Sequence, residues 1–281
     1  MTSMTTIATQ RRFTVPHPAR LLAGVALLLI APFGHAQLAP AADLAAQAAP
    51  TAHGVIGAGL ALLPRYQGAD HKELVAVPLL EYHWDNGVFI GGDNNALLGY
   101  QAAAGADLQY GVAISADDGR RQSHAHELNA MGNVKRTPIS VAFISHAITP
   151  RLSVNSSIGY GAGNDRKGGW AKLGAAYLVP INDSTSLSFT AGASVANGNY
   201  MQTYFGVDAA QAARSGRAQN TQSGGWRDAT VGVRLAVRIN RDWSMLAALS
   251  NTTLSSAARD SALVRQANAQ KLMVGAVYAL K

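Results

Sequence analysis

Along residues 230–239 every second position is aliphatic. Val231, Val233, Leu235, Val237 and Ile239 alternate with Thr230, Gly232, Arg234, Ala236 and Arg238. A strand sends successive side chains to opposite faces. The segment therefore predicts a strand with one face fit for hydrocarbon and another that carries two guanidinium groups into a wet interior. The same dyad recurs. Residues 106–116 set Leu108, Tyr110, Val112 and Ile114 against Asp107, Gln109, Gly111, Ala113 and Ser115. Residues 152–161 set Leu152, Val154, Ser156, Ile158 and Tyr160 against Ser153, Asn155, Ser157 and Gly159. Residues 187–196 set Leu187, Phe189, Ala191, Ala193 and Val195 against Ser188, Thr190, Gly192 and Ser194. A soluble sandwich alternates in the same way with its polar face outward. The small residues on the second face, the number of such strands and the N-terminal segment favour a membrane barrel.

That N-terminal segment reads as an export signal. Arg11, Arg12 and Arg20 precede the apolar run LLAGVALLLI at 21–30, then Pro32, then small residues at Gly34 and Ala36. This order predicts a secretory signal peptide over residues 1–36, cleaved after Ala36. The run is too short for a spanning helix, which needs ~20 apolar residues. The pair Arg11–Arg12 alone does not make a twin-arginine signal, and the general secretory route is the reading. Residues 37–51, rich in Ala and Pro, read as a flexible periplasmic leader. Residues 52–281 then form one domain. No later stretch approaches a transmembrane helix, so the mature chain enters a membrane through strands: an all-β, antiparallel transmembrane β-barrel of about twelve strands, within roughly 10–14. Its surroundings are outer-membrane lipid.

Composition supports this and excludes much else. Charged residues make up 14% of the chain, against roughly 25% in an average soluble protein. The formal charge of +7 overstates the barrel's own: three of 23 basic residues and none of 16 acidic ones lie in the signal, leaving 20 against 16. The remaining basic residues are scattered, with no Lys/Arg stripe for nucleic acid. Cysteine is absent, which rules out a disulfide framework, a thiolate metal site and a cysteine nucleophile.

Connection lengths orient the barrel. Short turns are predicted at residues 85–87, 149–151, 180–184 and 240–242. Longer connections fall at 64–73, 162–167, 198–225 and 255–270. Outer-membrane barrels keep their turns short in the periplasm and their loops long outside. Counted back from the last strand, 271–281, every short turn shares a side with the C-terminus. The segment 88–135 parses in two ways. Strands at 88–92, 95–100 and 104–116 before a long loop are one. A single strand 88–100 with another at 124–134 is the other. Both give twelve. The last strand alternates Leu272, Val274, Ala276, Tyr278 and Leu280, but ends in Lys281 rather than an aromatic residue.

Candidate sites follow from the loops and the inward faces. In the connection after residue 196, Asp208 can cap a short helix over 209–215, with Gly216 at its end. Tyr200, Tyr204 and Phe205 are too aromatic for a solvated loop. Together with Met201, Gln202 and Thr203 they form a candidate gating loop folded into the barrel mouth, or they pack against its rim. Lys172, Arg234 and Arg238 are candidate lumen-facing cations, which either bias the lumen toward anions or pair with inward carboxylates such as Asp107. His124, His126 and Glu127 are considered as metal ligands on a shared strand face, but no completing ligand is near, so no metal and no cofactor is expected. Trp84, Trp170, Trp226 and Trp243 lie near strand ends, where indoles anchor at the headgroup level. No G-x-S-x-G element or other catalytic signature occurs, and no enzyme is expected.

Residues 200–216, YMQTYFGVDAAQAARSG, resemble the MipA/OmpV family, named after an MltA-interacting protein, almost throughout. Three shorter pieces agree. LPRYQGAD at 63–70 resembles the family's first loop, and LLEYHWDNGVFIGG at 79–92 its first periplasmic hairpin. SALVRQANAQ at 261–270 resembles its last outer loop, although Ala262 stands where that loop usually has Pro. The likeness runs from about Val55 to Leu280. It implies an outer-membrane protein and a scaffold that joins a lytic transglycosylase to a murein synthase. It supplies no catalytic residues to carry over. A narrow gated pore for small solutes, or a surface adhesin, is the alternative function.

Overall fold

The computed structural model describes residues 53–92 and 96–281. The signal peptide, its cleavage site and the periplasmic leader read from the sequence lie outside the described residues. Twelve antiparallel strands close on themselves. In chain order they are β1 (Gly54–Pro64), β2 (Lys72–His83), β3 (Val88–Gly91), β4 (Ala96–Ala104), β5 (Leu108–Asp117) and β6 (Thr137–Ala147). There follow β7 (Leu152–Ala162), β8 (Gly168–Asn182), β9 (Thr185–Ala196), β10 (Gly225–Arg238), β11 (Trp243–Leu254) and β12 (Asn268–Leu280). Each strand pairs with its sequence neighbours, and β1 pairs with β12 from Gly54↔Leu280 to Leu62↔Leu272.

The dyad pattern sorts the two faces. Val112, Ile158, Tyr160 and Val231 point outward, each 58% exposed, while Ala113, Ser115, Ser188 and Arg234 on intervening positions are 1–5% exposed. A soluble protein does not present so continuous an apolar exterior, and lipid is the solvent that accepts it. Among the described residues no helix is long and apolar enough to cross a membrane. The crossing is made by strands.

The connections alternate as the sequence predicts. At the end shared with the C-terminus, residues 84–87, 105–107, 148–151, 183–184 and 239–242 make turns of two to four residues. The other end carries the longer connections: residues 65–71, 118–136, 163–167, 197–224 and 255–267. The first is the periplasmic side by the rule for such barrels, and the second the outer side.

Segment 88–135 follows the first parsing. Gly91 and Gly92 adopt φ of 77° and 70°, a left-handed pair that ends β3 before the run can continue as one strand. Residues 124–134 are not a strand. They hold part of two single-turn 3-10 helices and one isolated bridge, Arg120↔Val134. The turn expected at 180–184 is shorter, because β8 runs on through a register shift between Pro180 and Asn182. A proline has no N–H for the ladder and is tolerated at such an irregularity.

A charge placed on the outer face at mid-height should oppose membrane insertion, and one on the inner face should not. Val231→Arg is expected to cost ~2–4 kcal/mol. Ser157→Asp, on an inward position of β7, should leave folding intact. The heat-dependent gel shift of the detergent-solubilised barrel, measured across a urea series, checks both.

Candidate functional site

The connection between β9 and β10 turns back over the barrel mouth. Its first helix, α1 (Gly198–Phe205), starts at Asn197, whose side chain accepts from the Tyr200 amide at 2.9 Å. Eight residues cannot sustain a helix in water alone. Tertiary burial holds it: Tyr200, Met201, Tyr204 and Phe205 share one face and are 0–3% exposed. They pack on Ile139 and Val141 of β6, Ala162 of β7, Ala196 of β9 and Leu254 of β11, with Trp170 alongside. Gln202 and Thr203 lie on the less buried face. The second helix, α2 (Ala209–Ser215), has a reciprocal cap between Asp208 and Gln211 and ends at Gly216 with φ of 71°, as the sequence predicts. A third short helix, α3 (Ser256–Arg259), belongs to the last outer loop.

Above α1 four outer loops interlock. Tyr66, Leu128, Met131, Val207 and Leu263 form one buried cluster, so the loops make a second layer over the plug. Polar contacts fix both layers. The Tyr204 hydroxyl donates to the Asp117 carboxylate in a short hydrogen bond. Asp117 also accepts from the Gly163 amide at 3.2 Å. Arg120 donates to the Tyr204 carbonyl at 2.7 Å, Ser261 Oγ to the Phe205 carbonyl at 2.6 Å, and Tyr66 to the Leu263 carbonyl at 3.0 Å. Gln67 Nε2 reaches the Tyr200 hydroxyl at 3.2 Å. Burial pushes the Tyr66 and Tyr200 phenols up to about 12 and raises Tyr204 as well. Burial also lowers the Arg120 guanidinium to about 10, so it remains charged at neutral pH.

Beneath the plug lies a chamber of about 260 Å³. Lys172 lines it, with Nζ 3.9 Å from the centroid of the Trp170 ring. Arg227, Asp228 and Lys271 line it too. The chain brings Arg227 and Asp228 in together because the β9–β10 register shifts between Trp226 and Asp228. Such a bulge lets neighbouring residues share a face. Arg227 Nε donates to Asp228 at 2.6 Å, and Ser194 Oγ to the same carboxylate at 2.7 Å. Below the chamber the periplasmic half is packed: Val55, Glu81, Ser188, Arg234, Leu246 and Val277 come from six strands, face inward and are 0–3% exposed.

The three basic residues singled out in the sequence do not form one site. Lys172 is in the chamber. Arg234 lies in the packed half, opposite Ser188 in the β9 register. Arg238 is at the periplasmic rim, where its guanidinium donates to the Asp183 carbonyl. Asp107 is exposed in a periplasmic turn and is not an inward carboxylate; Asp117 and Asp228 are. Trp84, Trp226 and Trp243 point outward at strand ends, 43–52% exposed. Trp170 does not anchor at the surface. It faces the lumen over Gly159, where a β-carbon would stand 2.4 Å from the indole.

The HAHE segment also departs from its strand-face reading. His126 Nδ1 meets Asn129 at 3.1 Å, and Glu127 pairs with Arg265 at 3.3 Å, tying two loops together. Among the described residues no group of three or more His, Cys, Asp or Glu is placed to hold a metal. The sequence reading missed Asp117, Arg120, Arg227, Asp228 and Lys271. Strand parity could have found Lys271, since Leu272 and Val274 face outward. The bulge hid Arg227.

A closed transmembrane β-barrel of the outer-membrane type, stoppered by its own loops, is the class that this geometry defines. The model of the family described as MltA-interacting protein MipA matches residues 56–280, and the chain belongs to that family. No curated protein matches it significantly. Among solved structures it is similar to the NanC porin, with 9% identity and a TM-score of 0.45 over 81% of this chain and 100% of that one. The KdgM porin aligns with 12% identity and a TM-score of 0.43, over 81% and 99%. The outer membrane channel DcaP of Acinetobacter baumannii aligns with 9% identity and a TM-score of 0.41, over 81% and 96%.

The buried phenols give the plug a defined alkaline limit. A free tyrosine ionises near 10.0, while Tyr66 and Tyr200 are raised to about 12 in the fold. Their contribution to stability is full below pH 10 and is lost as pH rises toward 12, because the unfolded state sheds its protons first. Tyrosinate absorbance should show at least three of the nine tyrosines un-ionised at pH 11 in the native barrel. All nine should titrate together after boiling.

Proposed function

We propose that this protein is a non-enzymatic anchor in the bacterial outer membrane, exported by residues 1–36, and that it scaffolds murein enzymes on its periplasmic side. The mature chain then starts at Gln37 and extends the leader 37–51 toward the periplasm. The partner is a lytic transglycosylase, with a murein synthase joined through the same surface. One observation carries this reading: the lumen is filled at two levels, by α1 in the outer half and by packed inward side chains in the periplasmic half. A barrel built in this way offers a fixed body in the membrane rather than a standing passage. The family's description as MltA-interacting supplies the class of partner.

The surface available for that partner is the periplasmic rim. Its turns are braced: Lys281 Nζ contacts Asp242 at 2.8 Å, and the Ala279 amide donates to the Asp242 carbonyl at 2.8 Å. The C-terminal lysine thus sits against the 239–242 turn. The candidate gating residues Tyr200, Met201, Gln202, Thr203, Tyr204 and Phe205 lie at the opposite end. Under the scaffold reading they close the barrel and do not touch murein enzymes. A gated pore is the second reading, and the chamber beneath the plug favours it.

Deleting residues 202–217 should leave co-purification with the lytic transglycosylase unchanged. Replacing the turns 84–87 and 239–242 with Gly-Ser segments, or removing 38–51, should reduce it. Loss of binding in the 202–217 deletion, with the heat-dependent gel shift preserved, would contradict the scaffold reading. N-terminal sequencing of the outer-membrane fraction should begin at Gln37; a retained Met1 would overturn the export and location assigned here.

A further inference from the structure

We infer that the outward face of β5–β9 holds one phosphorylated, multiply acylated glycolipid, the kind that forms the outer leaflet of a bacterial outer membrane. Its phosphates meet cations on two outer loops, and two of its acyl chains lie in furrows beneath them. The inference stands apart from the scaffold reading, since it concerns the outer leaflet and not the periplasmic rim.

Strand register makes the furrows. One row across the sheet reads Val112↔Ala142, Ala142↔Ile158, Ile158↔Ala171 and Ala171↔Val195. The row nearer the outer side reads Ile114↔Ser140, Ser140↔Tyr160 and Tyr160↔Gly169. In both rows large side chains alternate with small ones. The large ones point outward, 43–58% exposed. With strands ~4.8 Å apart, the small residues of β6 and β8 floor two grooves, one on each side of the Ile158–Tyr160 ridge. Each is about as wide as one hydrocarbon chain. At Gly169 a β-carbon would stand 3.1 Å from the Tyr160 ring, so the floor there is bare backbone. Toward the periplasm the grooves end against Ile144 on β6 and Leu173 on β8, both exposed. The hollow amounts to about 820 Å³.

Above the furrows, the loops 118–136 and 163–167 are tied together. The Lys135 amide donates to the Asn164 side chain at 2.7 Å, and Asn164 Nδ2 to the Asn133 carbonyl at 2.9 Å. This brings Lys135 and Arg136, just before β6, close to Arg166 and Lys167, just before β8. All four are exposed. Carboxylates belong to the same patch and do not cancel it. Asp118 pairs with Arg136 at 3.7 Å, and Asp165 accepts from the Lys167 amide at 3.3 Å. Counted over both loops, six basic residues stand against three acidic ones, Asp118, Glu127 and Asp165. Glu127 is engaged by Arg265 from another loop, and Asp117 at the end of β5 is turned inward to Tyr204. Lys167 stands two residues before Gly169 and Arg136 four before Ser140, ~7 and ~13 Å of strand.

The occupant must satisfy both halves. A fatty acid fills a furrow and leaves the cations unmet. A phosphatidyl lipid has chains but one phosphate, while the cations sit on two loops. A glycolipid with phosphates at both ends of its sugar and several chains below meets the whole arrangement. Hydrocarbon already surrounds an acyl chain in the bilayer, so the furrows add contact and shape and no hydrophobic gain. Lys and Arg at the headgroup level supply most of the attraction.

The test uses the full-length mature protein refolded in detergent. Bisphosphorylated lipid A is the probe and phosphatidylglycerol the control, with EDTA present to remove bridging divalent ions. Native mass spectrometry counts lipids per barrel and gives relative affinities. One lipid A should bind per barrel, about ten-fold or more tighter than phosphatidylglycerol. The combined substitutions Lys135→Gln, Arg166→Gln and Lys167→Gln should weaken lipid A by about ten-fold or more. Ala142→Leu with Ala171→Leu fills the furrows with side chains that lipid accepts, and should weaken it about three-fold. Ala247→Leu, on the outward face of β11 between exposed Met245 and Leu249, should change nothing. Equal affinity for lipid A and phosphatidylglycerol would overturn the inference. So would undiminished lipid A binding in the triple Gln variant or in the double Leu variant, each with the gel shift intact. A dimer that the double Leu variant splits would also overturn it, because the face would then join two copies of the barrel.

Discussion

Hydrocarbon gives backbone N–H and C=O groups no partner, so every ladder hydrogen bond must be made within the protein. The β1–β12 seam is where this chain meets that demand, with nine residue pairs from Gly54↔Leu280 to Leu62↔Leu272. Without the seam the sheet would have two open edges in lipid. With it, the strict two-residue alternation acquires a meaning, because each strand has one face committed to lipid and the other to a confined interior. The aliphatic run of β10 and the inward burial of Arg234 are two consequences of one closure.

Closure creates a second problem. A twelve-stranded barrel encloses space, and this chain fills most of it in two ways. In the periplasmic half the strands bring in side chains large enough to meet, among them Val55, Leu246 and Val277. In the outer half a loop returns and lays the apolar face of α1 onto the inner wall. The plug is anchored more firmly than apolar contact alone would make it. Tyr204 alone joins three elements: its ring packs in the cluster, its hydroxyl reaches Asp117 at the end of β5, and its carbonyl takes a hydrogen bond from Arg120. Between the two fillings remains the chamber, lined by both basic and acidic side chains, among them Lys172, Arg227, Asp228 and Lys271.

The barrel was legible in the sequence because strand alternation is local and lipid makes it strict. Val112, Ile158 and Val231 could be assigned to the outer face from their neighbours alone. The α2 helix was legible for the same reason, as Asp208, Gln211 and Gly216 carry its start and stop within a few residues. The α1 helix was not. Its cap at Asn197 is local, but its aromatic face is held by contact with β6, β7 and β11, which lie far away in sequence. Trp170 was misread because a tryptophan near a strand end is ordinarily an anchor, and only the pairing with Gly159 shows that this one turns inward. Arg227 and Asp228 were hidden by their bulge, since two adjacent residues on one face break the parity that made everything else readable. The HAHE segment was read on a strand face that the fold does not provide.

The functional account therefore rests on a physical state of the lumen. If both fillings are in place, the barrel is a fixed body with a small polar chamber inside, suited to hold partners at its periplasmic rim. Current through the intact mature protein in a planar lipid bilayer tests this directly. The account predicts insertion without a steady conductance step, and a step that appears only when residues 202–217 and the packed Leu246–Val277 contact are both removed. A stable, ohmic open channel from the unmodified protein would contradict it.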